Sequence, residues 1–336
     1  MDTRFVVMTD THFTAPGTGK DECYWNRVLR SRSSEIADSL VSTVKSLSPD
    51  FIIHCGDFTD ASDMASFRFG KKVMDRMGSP YFMVLGNHDT WTEGIRESIA
   101  PLFEHGPGAR FYYTRRLGGI RFLFLDCAYW IRKDGVESEG LDWDLYEKGI
   151  YADIGPTYDQ LVWLERELDL DQKTPTVIVT HAPMHTKPTF SIGTLPEGKI
   201  PEGDPAKWNP APRTEFVDGN IRVAGNFFIH DKAVKDMVDH APNVMAVFAG
   251  HQHFADITRD RNIVHCLTGS LVEYPFEMRL VRVCDGVLSI SPIELDAPRF
   301  KRDSLIVEWG NQWVAGIDTD RHFSMTIDLS AAPEVG

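Results

Sequence analysis

The sequence predicts an α/β protein with a largely parallel, buried sheet. Short β-branched or aromatic runs recur along the chain, and helical patterns lie between several of them. The 336 residues contain 42% apolar and 25% charged residues, the mixture of a globular protein with a sizeable core. Strands that alternate with helices favour a parallel sheet, and ligands bind such sheets outside the carboxyl ends of the strands.

Five of the apolar runs end in side chains of the kind that bind metal ions. In chain order the runs and the residues that follow them are FVVMT with Asp10-Thr11-His12, FIIHCG with Asp57, YFMVLG with Asn87-His88-Asp89, TVIVT with His181, and VMAVFAG with His251-Gln252-His253. Chance would scatter such residues between strand starts, helices and loops. The pattern therefore predicts a site at the carboxyl ends of the strands.

Helices and one hairpin are predicted between these runs. Apolar residues recur at helical spacing in SSEIADSLVSTVKSL, between Tyr158 and Asp169, and between His230 and Asp239. Gly118-Gly119 lies between two strand-like runs and predicts a hairpin turn.

Seven side chains form the candidate metal-binding set: Asp10, His12, Asp57, Asn87, His181, His251 and His253. The set contains no cysteine, which disfavours a structural zinc site of the thiolate kind. Imidazole, carboxylate and amide donors suit Mn, Fe, Zn, Co or Ni. Seven donors are too many for one ion that keeps a position open for substrate, whereas two ions that share a carboxylate fit the number.

Five motifs in this order resemble those of the calcineurin-like metallophosphoesterase superfamily. They are D-x-H at Asp10 to His12, G-D-x-x-D at Gly56 to Asp60, G-N-H-D at Gly86 to Asp89, the strand-end His181, and G-H-x-H at Gly250 to His253. The resemblance covers about Arg4 to Pro292. It implies a four-layer fold in which two packed β-sheets are flanked by helices.

The resemblance also implies a role for each residue. The first metal ion would be held by Asp10, His12, Asp57 and His253. The second would be held by Asp57, Asn87, His181 and His251. His88 would face the scissile phosphate as a catalytic residue, and Asp60 would orient His88 and raise its pKa.

The activity implied by the resemblance is hydrolysis by in-line attack of a metal-bound hydroxide, with two ions of which Mn, Fe or Zn are expected. The motifs look most like those of class III cyclic nucleotide phosphodiesterases and their glycerophosphodiesterase relatives, so the expected substrate is a small phosphodiester. A phosphomonoesterase is the alternative, and a non-catalytic scaffold of the same fold is a third reading. Residues Ala61-Ser62 and Asp89 depart from the Ser/Thr protein phosphatase pattern.

Charge, apolar run length and cysteine placement indicate which partners and which cellular location the protein has. A formal net charge of -14 disfavours nucleic acid and anionic membranes as partners. The first residues, MDTRFVVMTD, do not resemble a signal peptide, no apolar run is long enough to span a membrane, and the scattered cysteines are typical of reduced thiols. We therefore expect a cytoplasmic protein. The sequence also allows a homo-oligomer.

The remaining segments concern selectivity. Residues 129–158, rich in acids and aromatic residues, are either a lid or rim over the site or a solvated surface excursion. Residues 183–229 are rich in Pro and Gly and are interpreted as a substrate-capping loop, in which Lys187, Phe190, Lys199, Trp208 and Arg213 are candidate contacts. We expect a catalytic domain at 1–295 and a β-type extension at 296–336, with strands at SLIVEW and FSMTIDL.

Overall fold

The structure is a computed structural model, and it describes residues 2–18, 29–103, 110–191, 214–217, 220–223, 228–304 and 311–327. The candidate contacts Lys199, Trp208 and Arg213, and the side chain of Phe190, lie outside the described residues. The predicted strand SLIVEW also lies outside them, apart from its first residue.

Two six-stranded sheets form the centre of the molecule. The first has the order β18-β17-β16-β1-β2-β3, with β1 at Asp2–Met8, β2 at Phe51–His54, β3 at Tyr81–Met83, β16 at Glu277–Cys284, β17 at Val287–Glu294 and β18 at Phe323–Thr326. The second has the order β14-β15-β13-β9-β5-β4, with β4 at Tyr113–Leu117, β5 at Ile120–Phe124, β9 at Thr176–Val179, β13 at Val244–Ala249, β14 at Asp256–Asp260 and β15 at Ile263–Leu267. Strands β1, β2 and β3 run parallel, as do β5, β9, β13 and β15, whereas the outer strands pair antiparallel.

Helices pack on the outer faces of both sheets, and one further short helix, α4 at Trp143–Glu147, lies in an insertion. The others are α1 at Ser33–Leu47, α2 at Met64–Met77, α3 at Ile95–Ile99, α5 at Tyr158–Leu170, α6 at Asp231–His240 and α7 at Pro298–Ser304. Local sequence signals mark both ends of α2. The Asp63 carboxylate caps α2 by accepting from the Ser66 N–H, and Gly78 ends that helix in a left-handed conformation.

The core has three parts because successive strand residues face opposite sides. In β1, Phe5 and Val7 point between the sheets and pack with Phe122 and Phe248, while Val6 points outward to α1 and α2. A separate cluster lies beneath α5 and α6. Every strand near the centre is buried on both faces, as a parallel sheet requires. This arrangement confirms the predicted four-layer α/β fold.

The predicted hairpin is confirmed. Strands β4 and β5 pair antiparallel on either side of Gly118 and Gly119, whose φ angles of 54° and 74° are those that a tight hairpin turn needs.

The two insertions contain small sheets of their own. Strands β6 (Tyr129–Arg132), β7 (Glu137–Ser138) and β8 (Tyr151–Gly155) form one sheet, and α4 lies between β7 and β8. Strands β10 (Thr189–Ser191), β11 (Thr214–Val217) and β12 (Asn220–Val223) form another. The 183–229 segment, interpreted from its Pro and Gly content as a loop, thus includes three short strands.

Residues 296–304 and 311–327 pack onto the rest of the molecule. Strand β18, within the predicted strand FSMTIDL, adds to the edge of the first sheet beside β17. Phe300 joins the core under α1, and Trp313 joins the core beneath α5. The division into domains at residue 295 stays a prediction. No helix among the described residues has both the length and the apolar character needed to cross a membrane.

Candidate metal centre

All seven candidate donors lie at the same edge of the two sheets. Asp10 and His12 follow β1, Asp57 follows β2, Asn87 follows β3, His181 follows β9, and His251 and His253 follow β13. Within each sheet, backbone hydrogen bonds join neighbouring donor loops. The His12 N–H donates to the Asp57 carbonyl at 3.1 Å, and the Gly250 N–H donates to the His181 carbonyl at 2.8 Å.

The loops adopt backbone conformations that few residues tolerate. Asp10, His12, Asp57, His251 and His253 all have φ between 41° and 72°, in the left-handed region. For residues other than glycine these angles cost free energy and occur mostly at functional sites. All five residues are Asp or His, which adopt these angles more readily than most other residues do.

Two glycines are required where the loops approach each other closely. A Cβ atom at Gly86 would lie 2.2 Å from the Asp57 backbone nitrogen, and one at Gly250 would lie 1.8 Å from Thr9 Oγ1. Any side chain at these positions would push the donor loops apart.

The first group of donors consists of Asp10, His12, Asp57 and His253, whose ligand atoms all lie within 4.8 Å of one another. His253 Nε2 is 3.2 Å from His12 Nε2 and 3.1 Å from Asp10 Oδ1. All four residues are buried. Two ring nitrogens that face each other at this distance suit a shared cation.

The second group consists of Asp57, His181 and His251. His181 Nε2 is 3.3 Å from Asp57 Oδ2 and 3.2 Å from the amide oxygen of Asn87. The same Asp57 oxygen is 3.8 Å from His12 Nε2 in the first group. Asp57 therefore stands between the two groups, and the structure brings all seven predicted donors together.

His88 and Asp60 lie beside the first group. The rings of His88 and His12 are 4.7 Å apart at nearly right angles, and 14% of the His88 side chain is exposed. His88 Nδ1 lies 2.8 Å from the Asp60 backbone carbonyl and 4.0 Å from its carboxylate. The Asp60 carboxylate is closer to His12 Nδ1, at 3.3 Å. Asp60 thus contacts His88 through its carbonyl and His12 through its carboxylate, a division that the motif alone does not predict.

Burial and nearby charges shift the pKa values of the donors. Burial alone would lower the pKa of His253, but the carboxylates of Asp10 and Glu273 outweigh it and raise that pKa to about 10. Burial would also lower the pKa of His181, but the carboxylate of Asp57 outweighs it and raises that pKa to about 9. Burial would raise the pKa of Asp57, yet His181 and other nearby histidines hold it well below its usual range. For His251, burial and the nearby charge of His181 lower the pKa to about 4.

Three buried residues that support the donors were not among the predicted site residues. Glu273 holds Nδ1 of His253 through a short ion pair, which leaves Nε2 facing the other donors. Asp89 accepts from the backbone N–H groups of Phe58, Thr59 and Gly86 at 2.7 to 3.0 Å, so it ties two donor loops together. Asp89 belongs to the G-N-H-D motif, which is the signal that could have found it.

The third residue is His54, the last residue of β2. Its Nδ1 accepts from the Gly56 N–H at 3.2 Å, and its Nε2 lies 3.0 Å from Thr11 Oγ1. Burial lowers the pKa of His54 to about 3, so the ring stays neutral and links the first two donor loops.

The donor chemistry fits a pair of transition-metal ions. Imidazole nitrogens and carboxylates converge in two groups that share Asp57, and the Asn87 amide oxygen lies beside the second. A third cluster, of His12, Asp60 and His88, adjoins the first group. The outer nitrogens of His181 and His253 are both engaged, by the Cys55 carbonyl at 2.8 Å and by Glu273. Metal-binding histidines are usually oriented in this way.

Comparison with known proteins identifies the family of the chain. The model of the family described as calcineurin-like phosphoesterase matches residues 3–255. A comparison with curated protein sequences finds no significant match.

Among solved structures, a dimetal phosphatase from Danio rerio is similar with a TM-score of 0.60 and 15% identity, over 87% of this chain and 96% of that chain. GAP50, described as the anchor in the inner membrane complex of Plasmodium, is similar with a TM-score of 0.52 and 13% identity, over 99% of this chain and 95% of that chain. At these identities the likeness is one of fold. The family match spans well over half of the sequence and includes all seven candidate donors, so the chain belongs to the calcineurin-like phosphoesterase family.

Proposed function

We propose that the protein is a hydrolase of small phosphodiesters that uses two transition-metal ions. The observation that carries the proposal is the position of Asp57, whose Oδ2 atom lies 3.8 Å from His12 Nε2 and 3.3 Å from His181 Nε2. One carboxylate can thus serve both groups of donors, as in sites where two ions act on one phosphoryl group.

The donors divide between the ions as the two groups suggest. Asp10, His12, Asp57 and His253 would hold the first ion. Asp57, Asn87, His181 and His251 would hold the second. Mn, Fe or Zn suit this mixture of donors.

When bound, the two ions would supply Lewis acidity toward the phosphoryl oxygens and lower the pKa of water. His88 is the residue that we propose to face the scissile phosphate, because its ring lies against His12 and keeps some exposure. It would neutralise developing charge or protonate the leaving oxygen. Asp60 would hold both His88 and His12 in position, and it is a positioning residue in this scheme.

A phosphodiester is preferred to a monoester because the motif combination D-T-H, G-D-F-T-D, G-N-H-D, H-A-P and G-H-Q-H looks most like that of diester-cleaving relatives. The similar structure from Danio rerio is called a phosphatase, which supports the monoester alternative at the level of fold. GAP50 is called an anchor, which keeps the scaffold reading open. The acidic chain remains a poor candidate for nucleic acid.

The experiment that separates these readings is turnover of bis(p-nitrophenyl) phosphate beside p-nitrophenyl phosphate, after loading with Mn, Fe, Co, Ni or Zn, together with measured metal content. We expect two ions per chain and preference for the diester. Asn87→Ala should abolish most turnover with the fold intact, whereas Asn262→Ala, in the exposed turn between β14 and β15, should leave it unchanged. Preference for the monoester would establish the alternative, and a chain that binds no metal and cleaves neither ester would support the scaffold.

A further inference from the structure

Aromatic side chains form a continuous row that begins at His88 and reaches the surface. Ring centroids are 4.1 Å apart between His88 and Trp91, 5.6 Å between Trp91 and Trp143, and 5.7 Å between Trp143 and Tyr146. Trp143 and Tyr146 are each 49% exposed. We call Trp91, Trp143 and Tyr146 the aromatic shelf.

The shelf is fixed to the candidate metal centre by the backbone. The carbonyl of Thr90 accepts both the Leu141 N–H at 3.0 Å and the Trp130 indole N–H at 3.1 Å. A Cβ atom at Gly140 would lie 2.8 Å from Glu93 Cα, so glycine permits this close approach. The insertion that carries α4 therefore docks directly on the turn that follows β3, and this contact places Trp143 close to His88 through Trp91.

Exposure and charge indicate what the shelf contacts. Large aromatic side chains gain free energy when covered, and contiguous exposed ones commonly mark binding sites. Acidic residues Asp142, Asp144 and Glu147 flank the exposed rings. Their charge repels a phosphate at this end of the row. The exposed end therefore suits an uncharged planar group, with the phosphate at the metal end.

Resting on the proposed function, we propose that the aromatic shelf is a substrate subsite for a planar aromatic ring carried by one alcohol group of the phosphoester, as in a nucleoside. Stacking on an exposed aromatic side chain strengthens binding by roughly tenfold per ring. A glycerol-type diester has no ring to place there. Of the two diester classes that the motifs allow, the shelf selects the one with a base.

The test compares adenosine 5′-monophosphate with ribose 5-phosphate, which carries the same phosphate and sugar without the base. Binding of each to the full-length, metal-loaded protein is measured by titration calorimetry. The wild-type protein should bind the nucleotide about tenfold more tightly than the sugar phosphate. Trp143→Ala should reduce this ratio to about one, and Trp143→Phe should keep most of it. Tyr158→Ala removes an aromatic residue that is 61% exposed on α5, and it should retain the full ratio.

The outcomes separate this subsite from the proposed activity. Equal affinity of the wild-type protein for the two ligands would overturn the shelf, and so would a folded Trp143→Ala variant with an undiminished ratio. Turnover of phosphodiesters is measured in parallel. A tenfold ratio without turnover would reject the proposed activity and keep the shelf, whereas turnover with a ratio of one would do the reverse.

Discussion

Glu273 is the carboxylate that orients His253, and its removal tests whether His253 binds a metal ion. The Glu273 side chain is buried and pairs with Nδ1 of His253. Glu273→Gln keeps the shape but removes the charge that directs Nε2 toward the other donors. We expect metal affinity to fall by roughly 10- to 100-fold with little change in fold. Competition with a chromogenic chelator measures the affinity. Glu165→Gln, exposed on α5, is the control, and equal affinity in both variants would contradict the role of His253.

His88 can be tested separately from the metal ions. It is a proposed catalytic residue and not a donor, so His88→Ala should lower kcat by roughly 100-fold or more while two ions stay bound. Metal content and kcat are measured on the same preparation. Loss of an ion in this variant would mean that His88 belongs to the metal-binding set.

Proton competition gives the centre a pH dependence with a definite sign. The raised pKa values of His181 and His253, about 9 and about 10, mean that both rings carry a proton at neutral pH in chelator-treated protein. A ring must lose that proton to bind a metal ion, so metal affinity should rise as the pH increases from 6 toward 9. Calorimetry in buffers of different ionisation enthalpy should detect protons released on binding. Affinity that falls over this interval would contradict the assignment.

At the scale of elements, the C-terminal segment supports the loop of His253. The Ala255 N–H donates to the Val314 carbonyl at 2.7 Å, and the rings of Phe254 and Trp313 are 5.2 Å apart. Trp313→Ala should lower the free energy of unfolding by about 3 to 5 kcal/mol and weaken metal binding as well. Ile317→Ala, 53% exposed in the same segment, should change neither by much. Urea unfolding measures the free energy of unfolding of each variant. A loss below about 1 kcal/mol for Trp313→Ala would show that the segment does not support the His253 loop.

At the scale of elements, some features of the site follow from the sequence and others do not. The donors are predictable because each directly follows a strand whose apolar run is local in sequence, as for Asp10 after β1. The role of Glu273 is not predictable, because it contacts His253 from a loop whose own sequence contains no metal-binding motif. The left-handed conformations of His251 and His253 are likewise imposed by tertiary contacts. The position of the aromatic shelf depends on how an insertion docks on the core, and the periodicity of apolar residues in the sequence does not specify that docking.

At the scale of the whole molecule, the candidate centre joins the two sheets. Asp10, His12, Asp57 and Asn87 follow strands of the first sheet, whereas the other three donors follow strands of the second. Ions bound by this set would link both halves of the core, and the buried carboxylates of Asp10 and Asp57 would lose their strongest counter-charge on chelation.

Metal removal should therefore lower the Tm of the whole protein. A metal ion at 100 times its Kd stabilises the folded state by about 2.7 kcal/mol, which corresponds to a fall in Tm on the order of 5 °C after chelation. Differential scanning calorimetry of metal-loaded and chelator-treated protein measures this shift. Asp57→Asn removes the shared carboxylate, so its Tm should hardly respond to the chelator. A wild-type Tm that ignores chelation would mean that the seven side chains do not hold ions that link the sheets, whereas an equal response in Asp57→Asn would mean that the ions bind without the shared carboxylate.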